Sequence, residues 1–249
     1  MKNWLIVIPA RLASTRLPRK PLQMLMGKPL LQRVYENLSP LKGEGATIVA
    51  AIDSLDVQNL CEDARIPYVM TDPSLASGTD RCNQAAMNYE HSFVMNVQGD
   101  EPFVNCDDLK SLSIRFEKSG CLMGTMGFKD SDPKAFHNPN DVKIIVDREE
   151  TRALYFSRAG IPYDREAAKT GSPLKPYWRH LGIYTFTKKS LDQFCKLPLS
   201  HLEDLEKLEQ LRAISSGWNI QLSHAKKPAF GIDTPEDLIA AEKFMSQNQ

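Results

Sequence analysis

The chain has 249 residues, 42% of them hydrophobic and 25% charged, with 31 Lys and Arg against 31 Asp and Glu. This is ordinary globular composition, which excludes disordered and fibrous classes, and the length suits one large domain or two small ones. No apolar run approaches the ~18 residues that cross a bilayer, and Trp4 to Ile8 is too short for a signal-peptide core and runs into Pro9. Five cysteines, Cys61, Cys82, Cys106, Cys121 and Cys195, are odd in number and far apart. They fit reduced thiols, and neither a disulfide framework nor a zinc knuckle. The expectation is a soluble, cytoplasmic protein with no membrane contact.

Zero net charge hides an asymmetry. Residues 1–35 hold Lys2, Arg11, Arg16, Arg19, Lys20, Lys28 and Arg33 and no acid, so the rest of the chain is net negative. A protein that coats nucleic acid is usually basic throughout, because its affinity comes from neutralising many phosphates. Cations concentrated on a neutral body suit a small polyanion, and no nucleic-acid partner is expected.

In chain order, the run Trp4 to Ile8 reads as a strand buried on both faces. A loop of about twenty residues follows, punctuated by Pro18, Pro21, Gly27 and Pro29, before an amphipathic helix from Leu30 with Leu31, Val34, Tyr35 and Leu38 on one face. Strand then helix recurs as Ala46 to Ile52 before Leu55 to Ala64, Tyr68 to Met70 before Asp80 to Tyr89, and Ser92 to Val97 before Asp107 to Phe116. Four βα units imply a doubly wound, mostly parallel α/β sheet, with the ligand beyond the carboxyl ends of its strands. That puts the loops opening at Pro9, Asp53, Thr71 and Gln98 on one rim.

From Gly120 to Thr187 the pattern changes to an α+β half of short segments, such as Val142 to Asp147, Arg152 to Ser157 and Gly182 to Phe186, with a flexible excursion at residues 169–176. A helix opens at Ser200 with Glu203 completing a capping box and Leu202, Leu205, Leu208 and Leu211 as its stripe. A strand from Asn219 to Ser223 precedes the terminal helix. There are no repeats and no clean boundary; the expected parts of a single domain are 1–119, 120–200 and 201–249.

The segment Pro9 to Pro21 offers Arg11, Arg16 and Lys20 at spacings that let them converge on one anion. A solvated basic loop is the plain alternative. It is not a P-loop, and no G-x-G-x-x-G follows a strand. Asp100, in Val97 to Pro102, sits at a strand end where a carboxylate facing a phosphate loop suits Mg²⁺; an ordinary turn Asp is the alternative. Asp233, before Pro235, poses the same choice against a helix cap. Along a strand His180 and Tyr184 share a face across Gly182, which makes a flat polar pocket or a half-buried sheet edge. Glu209 and Gln210 read by periodicity as a solvated helix face. His91, His137, His201 and His224 have no partner at metal-ligand spacing, and hydrolase motifs are absent.

The motifs Ile8 to Pro18 with Lys20-Pro21, Asn96 to Pro102, Phe156 to Arg158, Arg179 to Tyr184, Leu205 to Arg212 and Asp233 to Asp237 resemble those of the CMP-Kdo synthetases, the 3-deoxy-manno-octulosonate cytidylyltransferases. The resemblance spans nearly the whole chain in family order. It implies a nucleotidyltransferase fold of GT-A-like type, with an α+β half for sugar binding and dimerisation, usually in a homodimer. The implied reaction transfers CMP from CTP to an eight-carbon acidic sugar for lipopolysaccharide synthesis. By the same resemblance Arg11, Arg16 and Lys20 hold the triphosphate, Ser77 and Gly78 line the nucleotide site, and Lys20, Asp100 and Asp233 are catalytic. Asp100 and Asp233 ligate Mg²⁺. Gln98, Arg158, His180, Tyr184, Glu209 and Gln210 form the sugar pocket, with Arg158 the partner of the sugar carboxylate.

Several positions depart from the family pattern. Arg19 replaces Gly in L-P-G-K-P, Met24 to Met26 replaces a more polar stretch, and Ile52 stands where Thr is common. The sugar itself stays open between 3-deoxy-manno-octulosonate and its 8-amino analogue. Rival readings are a sialate-type cytidylyltransferase or a hexose-phosphate uridylyltransferase, and a non-catalytic nucleotide-binding protein that would lack Asp100 or Asp233.

Overall fold

The computed structural model describes residues 1–14, 16–229 and 231–247; residues 15, 230, 248 and 249, including Thr15 of the loop motif, lie outside it. The elements run β1 (Trp4–Ala10), β2 (Met24–Leu25), β3 (Lys28–Pro29), α1 (Leu30–Leu38), β4 (Thr47–Ile52), α2 (Leu55–Asp63), β5 (Tyr68–Met70), α3 (Gly78–Ala86) and β6 (Phe93–Val97). They continue through α4 (Cys106–Ser119), β7 (Met123–Asp130), α5 (Pro133–His137), β8 (Lys143–Val146), β9 (Arg152–Ser157), α6 (Arg165–Thr170) and β10 (Tyr177–Thr187). The last are α7 (Lys188–Cys195), α8 (His201–Glu206), α9 (Gln210–Ser215), β11 (Ile220–Ala225) and α10 (Pro235–Gln247).

Two compact units divide the chain: Met1–Cys106 with Thr187–Cys195 and Ala229–Gln249, and Asp107–Phe186 with Lys196–Pro228. These do not coincide with the sequence parts 1–119, 120–200 and 201–249. The chain passes between the units more than once, so no single linker marks a boundary in the sequence.

The first unit carries the parallel strands in the order β5-β4-β1-β6. All four point the same way, so Ala10, Ile52, Met70 and Val97 end on one rim, as the βα alternation predicts. Every residue of β1 is buried, which explains its unbroken apolar run. The strand continues through Pro9, where the sequence reading stopped it. Pairing with β6 ends at Val7↔Asn96, so Pro9, which has no N–H, lies where β4 alone remains beside it. The expected twenty-residue loop contains a one-turn 3-10 helix, Lys20–Leu22, and the β2–β3 hairpin. Met26 and Gly27 at its tip both have positive φ, 48° and 78°, the backbone of a two-residue hairpin turn. Leu17, Leu25 and Leu30 bury against Ile232 and Ala241, which fixes the start of α10 under the loop.

The second unit has the order β10-β7-β11-β9-β8, with β8 pairing back on β10. The five strands close into a ring, mixed in direction: β7 and β11 are parallel and the other pairs antiparallel. β10 is longer than Gly182 to Phe186, and its register on β7 jumps from Leu181↔Met126 to Tyr184↔Thr125. The helix from Ser200 breaks at Lys207, whose φ is 52°, into α8 and α9. Leu205 is consequently 66% exposed while Leu211 is buried, so the four leucines do not form one stripe. Ser200 caps α8 through the Glu203 amide, but the Glu203 carboxylate takes Arg212 at 2.8 and 2.5 Å, which replaces the return arm of a capping box. The excursion after α6 is fastened where the Lys175 amide donates to Asp164, the residue that also caps α6. No helix among the described residues is long and apolar enough to cross a membrane.

Candidate active site

The rim of the first unit holds a cleft of about 670 Å³ lined by Pro9, Ala10, Arg11, Ala13, Ser14, Arg16, Lys20, Pro21, Gly78, Gln98, Gly99, Asp100 and Asp233. At its centre the Lys20 Nζ donates to Asp100 Oδ2 and to Asp233 Oδ1, each at 2.6 Å. Only 16% of the Lys20 side chain is exposed. Burial alone would lower its pKa, yet the attraction and hydrogen bonds of Asp100 and Asp233 outweigh it and raise the pKa above the usual lysine value.

Each member of this trio is placed by its own backbone. Lys20 follows Arg19, which adopts the left-handed conformation (φ 53°) to start the 3-10 turn. That is a position glycine occupies without steric penalty, and it accounts for the departure from the family motif being a strained one. Asp100 follows Gly99, where a Cβ would stand 2.8 Å from the Pro9 carbonyl oxygen, so only glycine lets the two rim loops approach this closely. Asp233 is not the cap of α10. Thr234 is, with its Oγ1 accepting the Asp237 amide at 3.2 Å, while Asp237 accepts the amides of Asp233 and Thr234. The Asp233 carboxylate is thereby left to face Lys20 and Arg16, the latter at 2.9 Å.

Residues 1–35 contain no acid, but cations of the loop find some in space: Arg16 and Lys20 as above, and Arg19 with Asp56 at 2.9 Å. Arg11 is exposed and its Nη1 donates to the Ala76 carbonyl at 3.4 Å. Gly78 lines the cleft, where a Cβ would meet Gln98 Oε1 at 3.3 Å. Ser77, the residue before it, caps α3: its hydroxyl accepts the Asp80 amide and donates to the Asp80 carboxylate. Gln98 donates to Asn96 at 3.1 Å.

The other five sugar-pocket candidates lie in the second unit. His180 and Tyr184 do share a face, and the two residues inserted by the bulge draw them together. A regular strand would separate them by ~13 Å, whereas their rings are 5.4 Å apart. The Thr125 hydroxyl donates to the Ile183 carbonyl at 2.8 Å and lies 2.9 Å from His180 Nε2. One hydroxyl has one proton, so Nε2–H donates to Thr125 and Nδ1 is the basic nitrogen. Burial lowers the His180 pKa to about 3 and keeps the ring neutral. Burial, with the charge of Glu209, likewise raises the Tyr184 pKa and keeps it a phenol.

Gln210 corrects the solvated-face reading. The break at Lys207 rotates it inward to 1% exposure, where its Oε1 accepts the Tyr184 hydroxyl at 3.0 Å. Glu209 stands just before α9, half-buried beside it. The Arg158 guanidinium donates to the carbonyls of Glu206 (2.8 Å), Pro139 (3.0 Å) and Lys207 (3.4 Å), which ties it to the end of α8. Sequence reasoning missed the groups behind it: Glu206, which accepts the Ser157 hydroxyl and Arg158 amide, and the buried Lys143, whose Nζ donates to the carbonyls of Asn138, Asp141 and Arg158. A lysine within the strand pattern Val142 to Asp147 was their one visible signal.

No group of three His, Cys, Asp or Glu among the described residues converges as a metal centre. Asp100 and Asp233 nevertheless aim one oxygen each at a single point, now held by an ammonium. Two carboxylates and no more is the donor set that suits Mg²⁺, which keeps waters and substrate phosphates as its other ligands.

The cytidylyltransferase family model matches residues 5–226. The 3-deoxy-manno-octulosonate cytidylyltransferase of Wolinella succinogenes is 41% identical over 98% of this chain and 100% of its own length. The 8-amino-3,8-dideoxy-manno-octulosonate cytidylyltransferase of Shewanella sediminis is 39% identical over 98% and 99%. Among solved structures, a CMP:2-keto-3-deoxy-manno-octonic acid synthetase complexed with CTP superposes with a TM-score of 0.89 at 34% identity, covering both chains fully. A cationic loop facing the carboxylates of Asp100 and Asp233 at the rim of a parallel sheet, likeness over the full length and the family match agree, and the chain belongs to the cytidylyltransferase family, among its manno-octulosonate enzymes.

Proposed function

We propose that the protein transfers CMP from CTP to the anomeric hydroxyl of a 3-deoxy-manno-octulosonate sugar and releases pyrophosphate. The observation that carries this reading is the convergence of Lys20, Asp100 and Asp233 beside Arg11 and Arg16, in a chain whose relatives are named for that reaction. Arg11, Arg16 and Lys20 hold the triphosphate, and Gly78 leaves room for the nucleotide beside Gln98. When triphosphate enters, Lys20 and Arg16 exchange their carboxylate partners for phosphate oxygens. Asp100 and Asp233 would then hold Mg²⁺, which would supply neutralisation of phosphate charge and polarisation of the reacting oxygens. Catalysis then rests on positioning and charge, with little covalent work for the chain.

His180, Tyr184, Glu209 and Gln210 take the sugar, and the two guanidinium N–H groups that Arg158 does not spend on carbonyls remain for its carboxylate. The protein acts in the cytoplasm as a homodimer, the latter checked by its mass in sedimentation. The deciding experiment measures pyrophosphate release from CTP and Mg²⁺ with 3-deoxy-manno-octulosonate and with its 8-amino analogue. Relatives named for both sugars are close to equal in identity, so preference is read from kcat/KM. Release with neither sugar would overturn the reading, and loss of magnesium dependence would remove Asp100 and Asp233 from metal binding.

A further inference from the structure

Asp53 stands directly after β4 and uses its two oxygens in opposite directions. Oδ1 accepts the Leu12 amide at 3.0 Å, and Oδ2 lies 3.2 Å from Nη2 of Arg81 on α3. The Arg81 side chain is wholly buried and that of Asp53 is 9% exposed. Arg81 also donates through Nη1 to the Thr71 hydroxyl and, at 3.4 Å, to the Asp72 carbonyl. Its Nε and Nη2 make no aligned hydrogen bond among the described residues.

Burying a guanidinium with incomplete hydrogen bonding is an inefficient way to hold α3 against β4, since two apolar side chains of the same volume would do it without desolvating charge. The arrangement is explained by the other oxygen. Residues 11–14 lack regular structure, so the Leu12 amide is not held by a ladder, and it lies one residue beyond Arg11 at the mouth of the cleft. An anionic acceptor whose rotamer is locked by a buried arginine fixes that amide more firmly than a water would.

We propose that Asp53, oriented by Arg81, is a positioning residue for the nucleotide: it holds the backbone at Leu12 from which Arg11 and the rest of the cationic loop reach the triphosphate. Neither residue lines the cleft, and both act through the loop. The proposal rests on the nucleotide-binding reading above.

Its test compares Asp53→Ala, Asp53→Asn and, as a control destabilised elsewhere, Val57→Ala, a buried position of α2. Asp53→Ala should raise KM for CTP about tenfold and leave KM for the sugar unchanged, while Asp53→Asn, which keeps an acceptor for the Leu12 amide, returns to within about threefold of wild type. Hydrogen exchange at Leu12 should be accelerated in Asp53→Ala and restored in Asp53→Asn. An equal rise in KM for CTP in Val57→Ala at matched loss of melting temperature would reduce Asp53 to a structural role. Unchanged exchange at Leu12 in Asp53→Ala would overturn the proposal. If the wild-type protein releases no pyrophosphate, the functional reading fails separately, and exchange at Leu12 alone then decides whether Asp53 holds the loop.

Discussion

The polar groups of the two units work in opposite ways. At the rim of the first, charged side chains meet in opposite-sign pairs that remain partly open to water, as Arg16 with Asp233 shows. In the second, His180 and Tyr184 are kept neutral by burial and held by directional hydrogen bonds, His180 with Thr125 and Tyr184 with Gln210. Screened pairs are worth little in stability and can be exchanged for phosphate and metal at little loss. Neutral buried groups cannot exchange in this way; they select by shape and by which donor faces which acceptor. On the proposed function, the first design suits a polyanion and the second a polyhydroxyl sugar.

The largest break in that comparison is Lys20→Met. It removes the one ammonium that both Asp100 and Asp233 contact, leaves Arg16 on Asp233 alone, and should lower kcat by ~10²–10³ with an unchanged far-UV spectrum, measured as pyrophosphate release. Gly99→Ala comes next. A Cβ at 2.8 Å from the Pro9 carbonyl must push the rim loops apart, so it should lower stability by ~1–3 kcal/mol in denaturant unfolding and slow turnover by displacing Asp100.

In the second unit the expected effects are smaller and of another kind. His180 has a folded pKa of about 3 against an ordinary value of 6.5. Between these values the unfolded chain binds the extra proton, so stability is lost as pH falls through that window, by at most ~1.4 kcal/mol per pH unit. Melting curves from pH 7 to 4 should show that slope in wild type and a flatter one in His180→Gln. The smallest effect belongs to Arg19→Gly. It relieves left-handed strain of ~1 kcal/mol but gives up an exposed pair with Asp56, so thermal unfolding should shift upward by only a few degrees or less.

Much of the first unit was legible because burial on both faces writes a continuous apolar run, as in Trp4 to Ile8, and because strand ends in a parallel sheet share a rim. What escaped was backbone that breaks a period without punctuation. Lys207 adopts positive φ without being glycine or asparagine, so the helix break left no residue signature, and at the hairpin tip Gly27 marked a turn but Met26 before it did not. The bulge in β10 adds two residues and therefore preserves the face that His180 and Tyr184 share, which is why a simple alternation still paired them. The candidate site was legible at Lys20, Asp100 and Asp233 by residue type and context. Their contact was not, nor were the supporting roles of Asp53, Arg81 and Lys143, because a buried charge is defined by partners that spacing along the chain does not reveal.

The bond from Lys20 to Asp233 joins residues 213 positions apart. During synthesis the ribosome must therefore finish almost the whole described chain before the charge cluster can close. A nascent or prematurely terminated chain presents Lys20 and Asp100 without their third member. Chains cut short before Asp233 should consequently release no pyrophosphate.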